Sequence, residues 1–215
     1  MNPVEAELLD RGIARLGLDC CPRQKESLHL FLAEIEKWNR TINLVRADGN
    51  ELVIKHALDS LAGLALIGKL ERKNQIADVG SGAGFPGIPL SIFMQDCRFT
   101  LIERAKKRAG FLSATSARLG LRNVEILCCD LKETTKIFDV VVFRAFVDLA
   151  AREMLDIARI THPDGIIAAY KGKIARIKQE LQDAESSRSE ISIVPLEVPF
   201  LDAERHMVLM RRSQK

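Results

Sequence analysis

The sequence lacks the cysteine spacings that are typical of metal sites or of small folds cross-linked by disulfide bonds. Its five cysteines form two adjacent pairs, Cys20–Cys21 and Cys128–Cys129, and one isolated residue, Cys97, with no C-x-x-C arrangement. Adjacent cysteines cannot easily link distant parts of a chain, and an odd number leaves one unpaired. We therefore expect small buried thiols, a reducing compartment and no bound metal.

Targeting and membrane-spanning signals are also missing. The first turns of the sequence carry Glu5, Glu7, Asp10 and Arg11, which excludes the apolar core of a secretory signal there. No apolar run approaches the length that crosses a bilayer. We therefore expect a cytoplasmic protein with no membrane partner.

The composition is that of an ordinary globular protein. The 215 residues are 47% hydrophobic and 28% charged, which suffices for one well-buried domain with or without a subdomain. Gly and Pro cluster near residues 80–90, so no linker divides the chain. The net charge of +3 permits nucleic-acid binding without requiring it. The cluster RAKKR at 104–108 is typical of a solvated helix face or of an RNA contact, and the first is the plainer interpretation.

The first seventy residues show helical periodicity. Residues 26–44 place apolar side chains at three- and four-residue steps, and Pro22 suits the start of that helix. Residues 54–68 repeat the pattern, with Leu58, Leu61, Ala65 and Leu66 predicted to face inward. We expect residues 1–70 to form an N-terminal helical cap.

From residue 75 onward the period changes to that of strands alternating with helices. This alternation predicts a parallel sheet covered on both faces, within a domain of residues 71–215. Three helices are expected at 86–94, 105–120 and 150–159. Five strands are expected at 75–80, 98–103, 123–130, 138–145 and 164–172.

The end of the chain departs from this rhythm. Two strand patterns, 190–200 and 205–212, are joined by a segment too short for a crossover helix. Parallel neighbours need such a crossover, whereas antiparallel neighbours do not. The sheet is therefore expected to close with an antiparallel strand.

The stretch ADVGSGAGFPGIPLSI carries the strongest functional signal. From Gly82 it matches the G-x-G-x-x-G dinucleotide fingerprint, and from Gly80 it matches the G-x-G-x-G loop of enzymes that use S-adenosylmethionine. Both loops require glycine at positions such as Gly80, Gly82 and Gly84 for the same reason. A side chain there would collide with a ligand on the first strand-to-helix turn. The pattern alone does not choose between the two cofactors.

Three features favour S-adenosylmethionine. Asp78, at the end of the first strand, suits a cationic amino-acid group and would repel a pyrophosphate at the helix start. Pro86 offers no backbone N–H to a phosphate. The antiparallel closing pair departs from the usual dinucleotide sheet.

Residues at the ends of the next two strands suit a nucleoside. Glu103 is placed to accept both hydroxyls of an adenosine ribose, which either cofactor contains. Asp130 is placed on the adenine side, where Leu131 and Lys132 offer apolar and backbone contacts.

Arg144 and Lys171 end the fourth and fifth strands, where ligands bind in open α/β sheets. An ion pair is the alternative for Arg144, and Lys171 is a candidate for a phosphate or a guanine carbonyl. His56 and Asp59 form either a polar pair capping the cofactor pocket or a solvated surface pair.

Arg205 and His206 open the last strand and are candidates for contact with RNA phosphate. No Ser-His-Asp, Cys-His or metal-ligand constellation is present in the sequence. We expect no metal and no catalytic general base.

Taken in order, several short motifs resemble one family. They are WN at 38–39, NL at 43–44, HALDSL at 56–61, the glycine loop, RAF at 144–146, YKG at 170–172 and LDAERH at 201–206. The chain resembles the 16S rRNA guanine-N(7) methyltransferases, the glucose-inhibited division protein B family, from about Leu28 to Met210. One departure is Phe143, where many relatives carry Ser or Ala before the motif arginine.

The resemblance implies an α/β fold with the Rossmann-like sheet of class I S-adenosylmethionine-dependent methyltransferases, a C-terminal antiparallel strand and an N-terminal helical cap. It implies that Gly80 and Phe85 contact the cofactor and that Arg144 faces its methionine end. Contacts to the ribose by Glu103, Arg104 and Ala105, and to the adenine by Leu131 and Lys132, follow from the same likeness.

The function implied is methyl transfer from S-adenosylmethionine to the seven-nitrogen of a guanine in the 530 loop of 16S rRNA. The partner is 16S rRNA or the small ribosomal subunit, and the enzyme is expected to be a cytoplasmic monomer. Two alternatives stay open: an NAD-dependent oxidoreductase, and a noncatalytic ribosome-assembly factor that keeps a nucleoside pocket.

Overall fold

A computed structural model describes residues 2–183 and 189–212 of the chain. Its N-terminal part is helical up to residue 68, as expected from the periodicity. A π-helical turn, Val53–Leu58, and a 3-10 turn, Leu131–Glu133, interrupt the regular elements. The α-helices are α1 (Pro3–Arg15), α2 (Pro22–Asn39), α3 (Gly49–Leu52), α4 (Asp59–Ala62), α5 (Leu64–Gly68), α6 (Gly87–Phe93), α7 (Lys106–Arg118), α8 (Glu153–Ile160) and α9 (Ile174–Asp183).

The strands form a seven-stranded sheet in the order β3-β2-β1-β4-β5-β7-β6. Strands β1 to β5 are parallel to one another, and β7 is antiparallel to both β5 and β6. The antiparallel closing strand predicted from residues 190–212 is therefore confirmed. The strands are β1 (Gln75–Val79), β2 (Arg98–Ile102), β3 (Val124–Leu127), β4 (Phe138–Arg144), β5 (Thr161–Lys171), β6 (Ser189–Pro195) and β7 (His206–Arg212).

Helix α9 was not predicted from the sequence. It connects β5 to β6, and β7 then turns back to lie between those two strands. Because β5 and β6 run in the same direction, their connection needs a crossover of this kind.

Two apolar layers cover the two faces of the sheet. On one face, Ile76, Val140 and Val142 pack in a cluster with α1, α2, the π-helical turn, α6 and α7. On the other face, Val141 and Phe143 pack with residues of α8 and α9. Alternate residues of β4 thus enter different layers, as the pleat of a strand requires.

The helical layer differs from the predicted one in two details. The predicted helix 26–44 ends at Asn39, because the Asn39 side chain accepts hydrogen bonds from the backbone N–H groups of Leu44 and Val45 and donates to the Val45 carbonyl. Ala65 is exposed and Ile67 is buried instead. Leu58 and Leu61 are buried as predicted, so the change of face begins after them, where Gly63 interrupts the helix between α4 and α5.

The expectation of buried thiols holds fully only for Cys97, because Cys20 and Cys129 are half-buried and Cys21 and Cys128 are exposed. In residues 2–183 and 189–212, no helix is both long and apolar enough to cross a bilayer. The same part of the chain holds no cluster of three or more His, Cys, Asp or Glu suited to a metal ion.

The division into residues 1–70 and 71–215 stays a prediction. Residue 1 and residues 184–188 and 213–215, which it includes, lie outside the described part. Within that part, the helical layer and one face of the sheet share a single apolar cluster.

One buried hydrogen bond joins the helical layer directly to the sheet. The Tyr170 hydroxyl donates to the Ser60 carbonyl at 2.8 Å. We expect Tyr170→Phe to lower the free energy of unfolding by about 1 kcal/mol, which shifts the thermal midpoint by roughly 3 °C. Differential scanning calorimetry measures the shift.

The matched control for this variant is Thr115→Val. The Thr115 hydroxyl is buried and has no hydrogen-bond partner among the described residues. Removal of this hydroxyl should leave the free energy of unfolding unchanged. An equal loss of stability in both variants would therefore contradict the role given to the Tyr170 hydrogen bond.

Candidate active site

A cleft of about 930 Å³ opens at the edge of the sheet where the parallel strands end. The glycine loop after β1 lies on one side of it, and the ends of β4 and β5 lie beside that loop. Strand order reverses between β1 and β4, because β2 and β3 lie on one side and β5 on the other. Such switch points are where open α/β sheets bind ligands.

The glycine loop is held by hydrogen bonds to the backbone of β1 and β2. The N–H groups of Gly80 and Ser81 both donate to the Ile102 carbonyl, and the Ser81 hydroxyl donates to the Asp78 carbonyl at 2.8 Å. Gly80 and Gly82 have φ values of +67° and +56°, which glycine adopts without strain. The sequence therefore keeps glycine here for conformation as well as for access.

Gly84 and Gly87 are required by packing inside the protein. A Cβ on Gly84 would lie 2.8 Å from Ile88, and one on Gly87 would lie 2.6 Å from the Asp78 carboxylate. Phe85, between them, is buried against Phe31 with ring centroids 5.0 Å apart. Gly80, Gly82 and Phe85 line the cleft, whereas Gly84 supports it from behind.

Asp78 is fully buried under the loop. Its Oδ2 accepts a hydrogen bond from the Gly87 N–H at 2.9 Å, while its Oδ1 has no partner within the described residues. Burial raises the pKa of Asp78 to about 7, against the opposing effects of the Gly87 bond and of Arg144. The carboxyl group thus ties β1 to α6 and keeps one acceptor unused.

Glu103 is buried at the end of β2 and bonds to the backbone. Its Oε2 accepts from the Gly82 N–H at 2.9 Å, and its Oε1 accepts from the Ala105 N–H at 2.8 Å. The carboxylate therefore joins the glycine loop to the start of α7. The neighbouring Arg104 is exposed.

Beyond β3, the predicted adenine side forms a short turn. Asp130 accepts from the Lys132 N–H, Leu131 is buried, and the Lys132 side chain is exposed. Several predicted cofactor residues do not line the cleft: Asp78, Gly84, Glu103, Arg104, Ala105, Leu131 and Lys132. The structure brings Gly80, Gly82, Phe85 and Arg144 into one cavity, whereas Asp78 and the nucleoside-side candidates lie outside its lining.

The Arg144 side chain makes three polar contacts in the cleft. Its Nη1 donates to the Lys55 carbonyl at 2.9 Å and to Asp59 Oδ2 at 2.8 Å, and its Nη2 lies 2.7 Å from His56 Nδ1. Its guanidinium also lies 5.3 Å from the centroid of the Phe85 ring. Both readings of Arg144 are compatible with this geometry, since the ion pair is present and the side chain still lines the cavity.

His56 and Asp59 do not bond to each other in the structure. Asp59 is only 3% exposed, which excludes the solvated surface pair. Burial, followed by the nearby Arg144, Lys55 and Arg205, lowers the pKa of His56 to about 3. His56 is therefore neutral at physiological pH.

Lys171 is committed to an ion pair. Its Nζ donates to Glu180 Oε2 at 2.7 Å and to the Val147 carbonyl at 2.9 Å. Burial opposes ionisation of Glu180, but its bonds from Lys171, the Leu149 N–H and Arg176 lower its pKa overall. Lys171 also lines the cleft, so its contact with a phosphate or a guanine carbonyl stays a prediction, to be made beside the ion pair with Glu180.

Arg205 and His206 are also partnered within the chain. Arg205 Nε donates to Asp59 Oδ1 at 2.9 Å, and His206 Nδ1 lies 2.7 Å from the Gly172 carbonyl. Arg205 lines the cleft, whereas His206 lies beside it. These contacts attach the start of β7 to Asp59 in α4 and to Gly172 after β5.

Two residues with clear roles at the site were not singled out from the sequence. Phe146 lies against the loop so closely that a Cβ on Gly80 would be 2.1 Å from its ring. Glu180 holds the Lys171 ammonium and the Leu149 N–H together. Phe146 stands in the quoted RAF motif, so a signal existed for it, but Glu180 lies in an ordinary helical pattern.

Three comparisons with known proteins agree with this architecture. A family described as "GidB: rRNA small subunit methyltransferase G" matches residues 24–208. The chain is 35% identical to a protein named ribosomal RNA small subunit methyltransferase G from Polynucleobacter asymbioticus, over 97% of this chain and 96% of that protein. It is 38% identical to a protein of the same name from Laribacter hongkongensis, over 94% and 96%.

Among solved structures, the chain is similar to an S-adenosylmethionine-dependent methyltransferase from Aquifex aeolicus. The TM-score is 0.56 at 17% identity, covering 83% of this chain and 97% of that one. At this identity the likeness concerns the fold, and it confirms the predicted Rossmann-like sheet of class I methyltransferases.

The unusual pKa of Asp78 generates a prediction on stability. A pKa raised from 3.8 to about 7 means that the folded state binds the proton more tightly than the unfolded state does. The protonated Asp78 carboxyl group therefore stabilises the folded state. This contribution to the free energy of unfolding is fully present below pH 3.8 and is lost as the pH rises to 7. Relative to wild type, Asp78→Asn should gain thermal stability progressively between pH 4 and pH 7, by several degrees in all. Thermal denaturation followed by circular dichroism at a series of pH values tests this, and a difference independent of pH would contradict it.

Proposed function

The chain belongs to the GidB family of small-subunit rRNA methyltransferases, and on that premise we propose that it methylates the seven-nitrogen of a guanine in the 530 loop of 16S rRNA, using S-adenosylmethionine. The observation that carries the proposal is the cleft where the glycine loop meets Arg144 at the switch point of the sheet. We also propose that the enzyme is a cytoplasmic monomer.

Several observations fit S-adenosylmethionine at this cleft. The backbone of Gly80 and Gly82 lines it, and the space above Gly82 is open except for the Gly80 carbonyl at 3.7 Å. Arg144 suits the carboxylate at the amino-acid end of the cofactor. Asp78 is buried under the loop, so its unused Oδ1 would reach the ammonium group through water. Glu103 would reach the ribose with the second lone pairs of its oxygens, with Arg104 and Ala105 beside it, and Leu131 and Lys132 would contact the adenine.

When bound, the cofactor supplies an electrophilic sulfonium methyl group. The seven-nitrogen of guanine has a lone pair in the ring plane and no proton to lose, so attack on a methyl group requires no general base. The residues of this chain then act by binding and orienting the two reactants, which is a large part of catalysis in reactions of this type. Removal of a positioning contact should therefore lower the rate without creating a new pH dependence.

The charges around the sheet support RNA binding at the same edge. Lys106, Lys107 and Arg108, at the start of α7, are exposed and form no ion pair with another described residue. At the opposite edge, Arg72 pairs with Asp139 and Asp164. Cations without partners attract phosphates more strongly than paired ones do.

The two alternatives have distinct consequences. An oxidoreductase would bind NAD and not S-adenosylhomocysteine, and the family match does not favour it. An assembly factor would bind S-adenosylhomocysteine and leave the RNA unmethylated. A methylation assay carried out on free 16S rRNA and on the small subunit shows which of the two is the substrate.

The first experiment supplies methyl-labelled S-adenosylmethionine to small ribosomal subunits that lack this modification. We expect the label in 7-methylguanosine after digestion and chromatography. Arg144→Ala should reduce the initial rate at least 100-fold, because it removes a charged contact worth roughly 3 kcal/mol. Subunits that stay unlabelled by a protein that binds S-adenosylhomocysteine would contradict the proposed substrate.

A second prediction concerns the cations of α7. We expect Lys107→Ala combined with Arg108→Ala to weaken RNA binding and to reduce the slope of log affinity against log salt by roughly 1 to 2, since about 0.7 is lost per single-strand phosphate contact. Filter binding across a salt series measures this. The matched control is Lys69→Ala combined with Arg98→Ala, exposed cations at the opposite edge, and an equal effect of both pairs would contradict the proposed face.

A further inference from the structure

The guanidinium of Arg144 has a defined set of unused donors. An arginine carries five N–H groups: one on Nε and two on each Nη. Both hydrogens of Nη1 are used, by the Lys55 carbonyl and by Asp59, and one hydrogen of Nη2 is used by His56. Among the described residues, none accepts a hydrogen bond from the Nε–H or from the second hydrogen of Nη2. These two groups belong to neighbouring nitrogens and can bind one carboxylate in a bidentate manner.

All three acceptors come from one short segment of the helical layer. Lys55 and His56 lie in the π-helical turn, and Asp59 is the first residue of α4. A π-helical turn widens the helix by one residue and occurs frequently at functional sites. Here it lets a backbone carbonyl and two side chains approach the same guanidinium.

His56 contributes an acceptor and not a charge. Arginine can only donate, so His56 Nδ1 must accept from Nη2 and the ring proton must be on Nε2. The low pKa of His56 agrees with this, because burial first, and then the charges of Arg144, Lys55 and Arg205, disfavour a protonated ring. The ring also lies 5.1 Å from Phe85, so His56 touches the same aromatic side chain as Arg144 does.

Asp59 divides its two oxygens between two arginines. Oδ2 accepts from Arg144 at 2.8 Å and Oδ1 accepts from Arg205 Nε at 2.9 Å. Its side chain is 4% exposed, against 15% for Arg144 and 26% for Arg205. One buried carboxylate therefore fixes the end of β4 and the start of β7 relative to α4.

We propose that His56 and Asp59 are positioning residues for Arg144, which they hold so that its Nε–H and second Nη2–H face the carboxylate of the methionine end of the cofactor. The inference rests on the proposed function, because it takes that carboxylate as the ligand of Arg144. It assigns to the segment Lys55–Asp59 the role of aligning a cofactor-binding side chain carried by the sheet.

Two substitutions of His56 separate this role from simple packing. His56→Asn keeps an acceptor at the position of Nδ1, three bonds from Cα, but loses the ring. His56→Phe keeps a ring against Phe85 but loses the acceptor. We expect His56→Phe to weaken the binding of S-adenosylhomocysteine roughly 10-fold, as for loss of a hydrogen bond to a charged group, whereas His56→Asn stays within about 2-fold of wild type. Isothermal titration calorimetry without RNA measures both.

A double-mutant cycle shows whether His56 acts through Arg144. In an Arg144→Ala background, His56→Phe should cause no further loss of affinity, because the contact it removes is already absent. A loss that simply adds to that of Arg144→Ala would overturn the positioning role. The positioning role would also be overturned if His56→Phe bound S-adenosylhomocysteine as wild type does while His56→Asn bound it more weakly.

Asp59→Asn extends the test to the second residue. It should weaken S-adenosylhomocysteine binding at least 10-fold, and the matched control is Glu34→Gln, which alters a buried carboxylate paired with Arg118 away from the cleft. Equal affinities for Asp59→Asn and Glu34→Gln in folded protein would overturn the role of Asp59. If Asp59→Asn does not fold, the His56 variants and the cycle still decide the proposal.

Failure of the proposed function gives a different result. Wild-type protein that binds S-adenosylhomocysteine but leaves RNA unlabelled removes the RNA substrate, and the cycle still tests the alignment of Arg144. Wild-type protein that does not bind S-adenosylhomocysteine overturns both proposals.

Discussion

The ion pair between Arg144 and Asp59 is the interaction on which the arrangement of the cleft depends. A charge removed from water is costly unless it is paired and hydrogen-bonded, and Arg144 directly follows the buried part of β4, residues 140–143. The partners of Arg144 come from the helical layer. A shift of that layer against the sheet would therefore leave the Arg144 guanidinium buried and unpaired. Asp59 passes the same constraint on to Arg205 and thereby to the last strand.

The network also sets the electrostatics of the cleft. Two arginines share one carboxylate, and His56 adds no charge, so Arg144, Arg205, Asp59 and His56 together carry one net positive charge. A positive cleft suits an anionic cofactor carboxylate and the phosphates of RNA. Asp78 lies below the loop as a carboxyl group whose ionisation is suppressed by burial, and a cationic group brought near it would favour the ionised form.

Carboxylates at the site serve mainly to organise backbone. Asp78 accepts from Gly87, Glu103 accepts from Gly82 and Ala105, and Glu180 accepts from Leu149. In each case a buried acidic side chain joins two segments that meet at the carboxyl edge of the sheet. The glycine loop is therefore fixed from below and from the side, which leaves its upper surface available to a ligand.

The sequence by itself determined the strands from β1 to β5, the antiparallel closing strand, the glycine loop and the positions of Asp78, Glu103 and Arg144 at strand ends. Those features depend on local periodicity and on the rule that parallel strands end at one edge. Only the tertiary structure decided that Lys171 pairs with Glu180, that Asp59 is buried between two arginines, and that α9 crosses from β5 to β6. The physical reason is that a partner in an ion pair is chosen by proximity between distant segments, and the spacing of residues along the chain carries no record of that proximity.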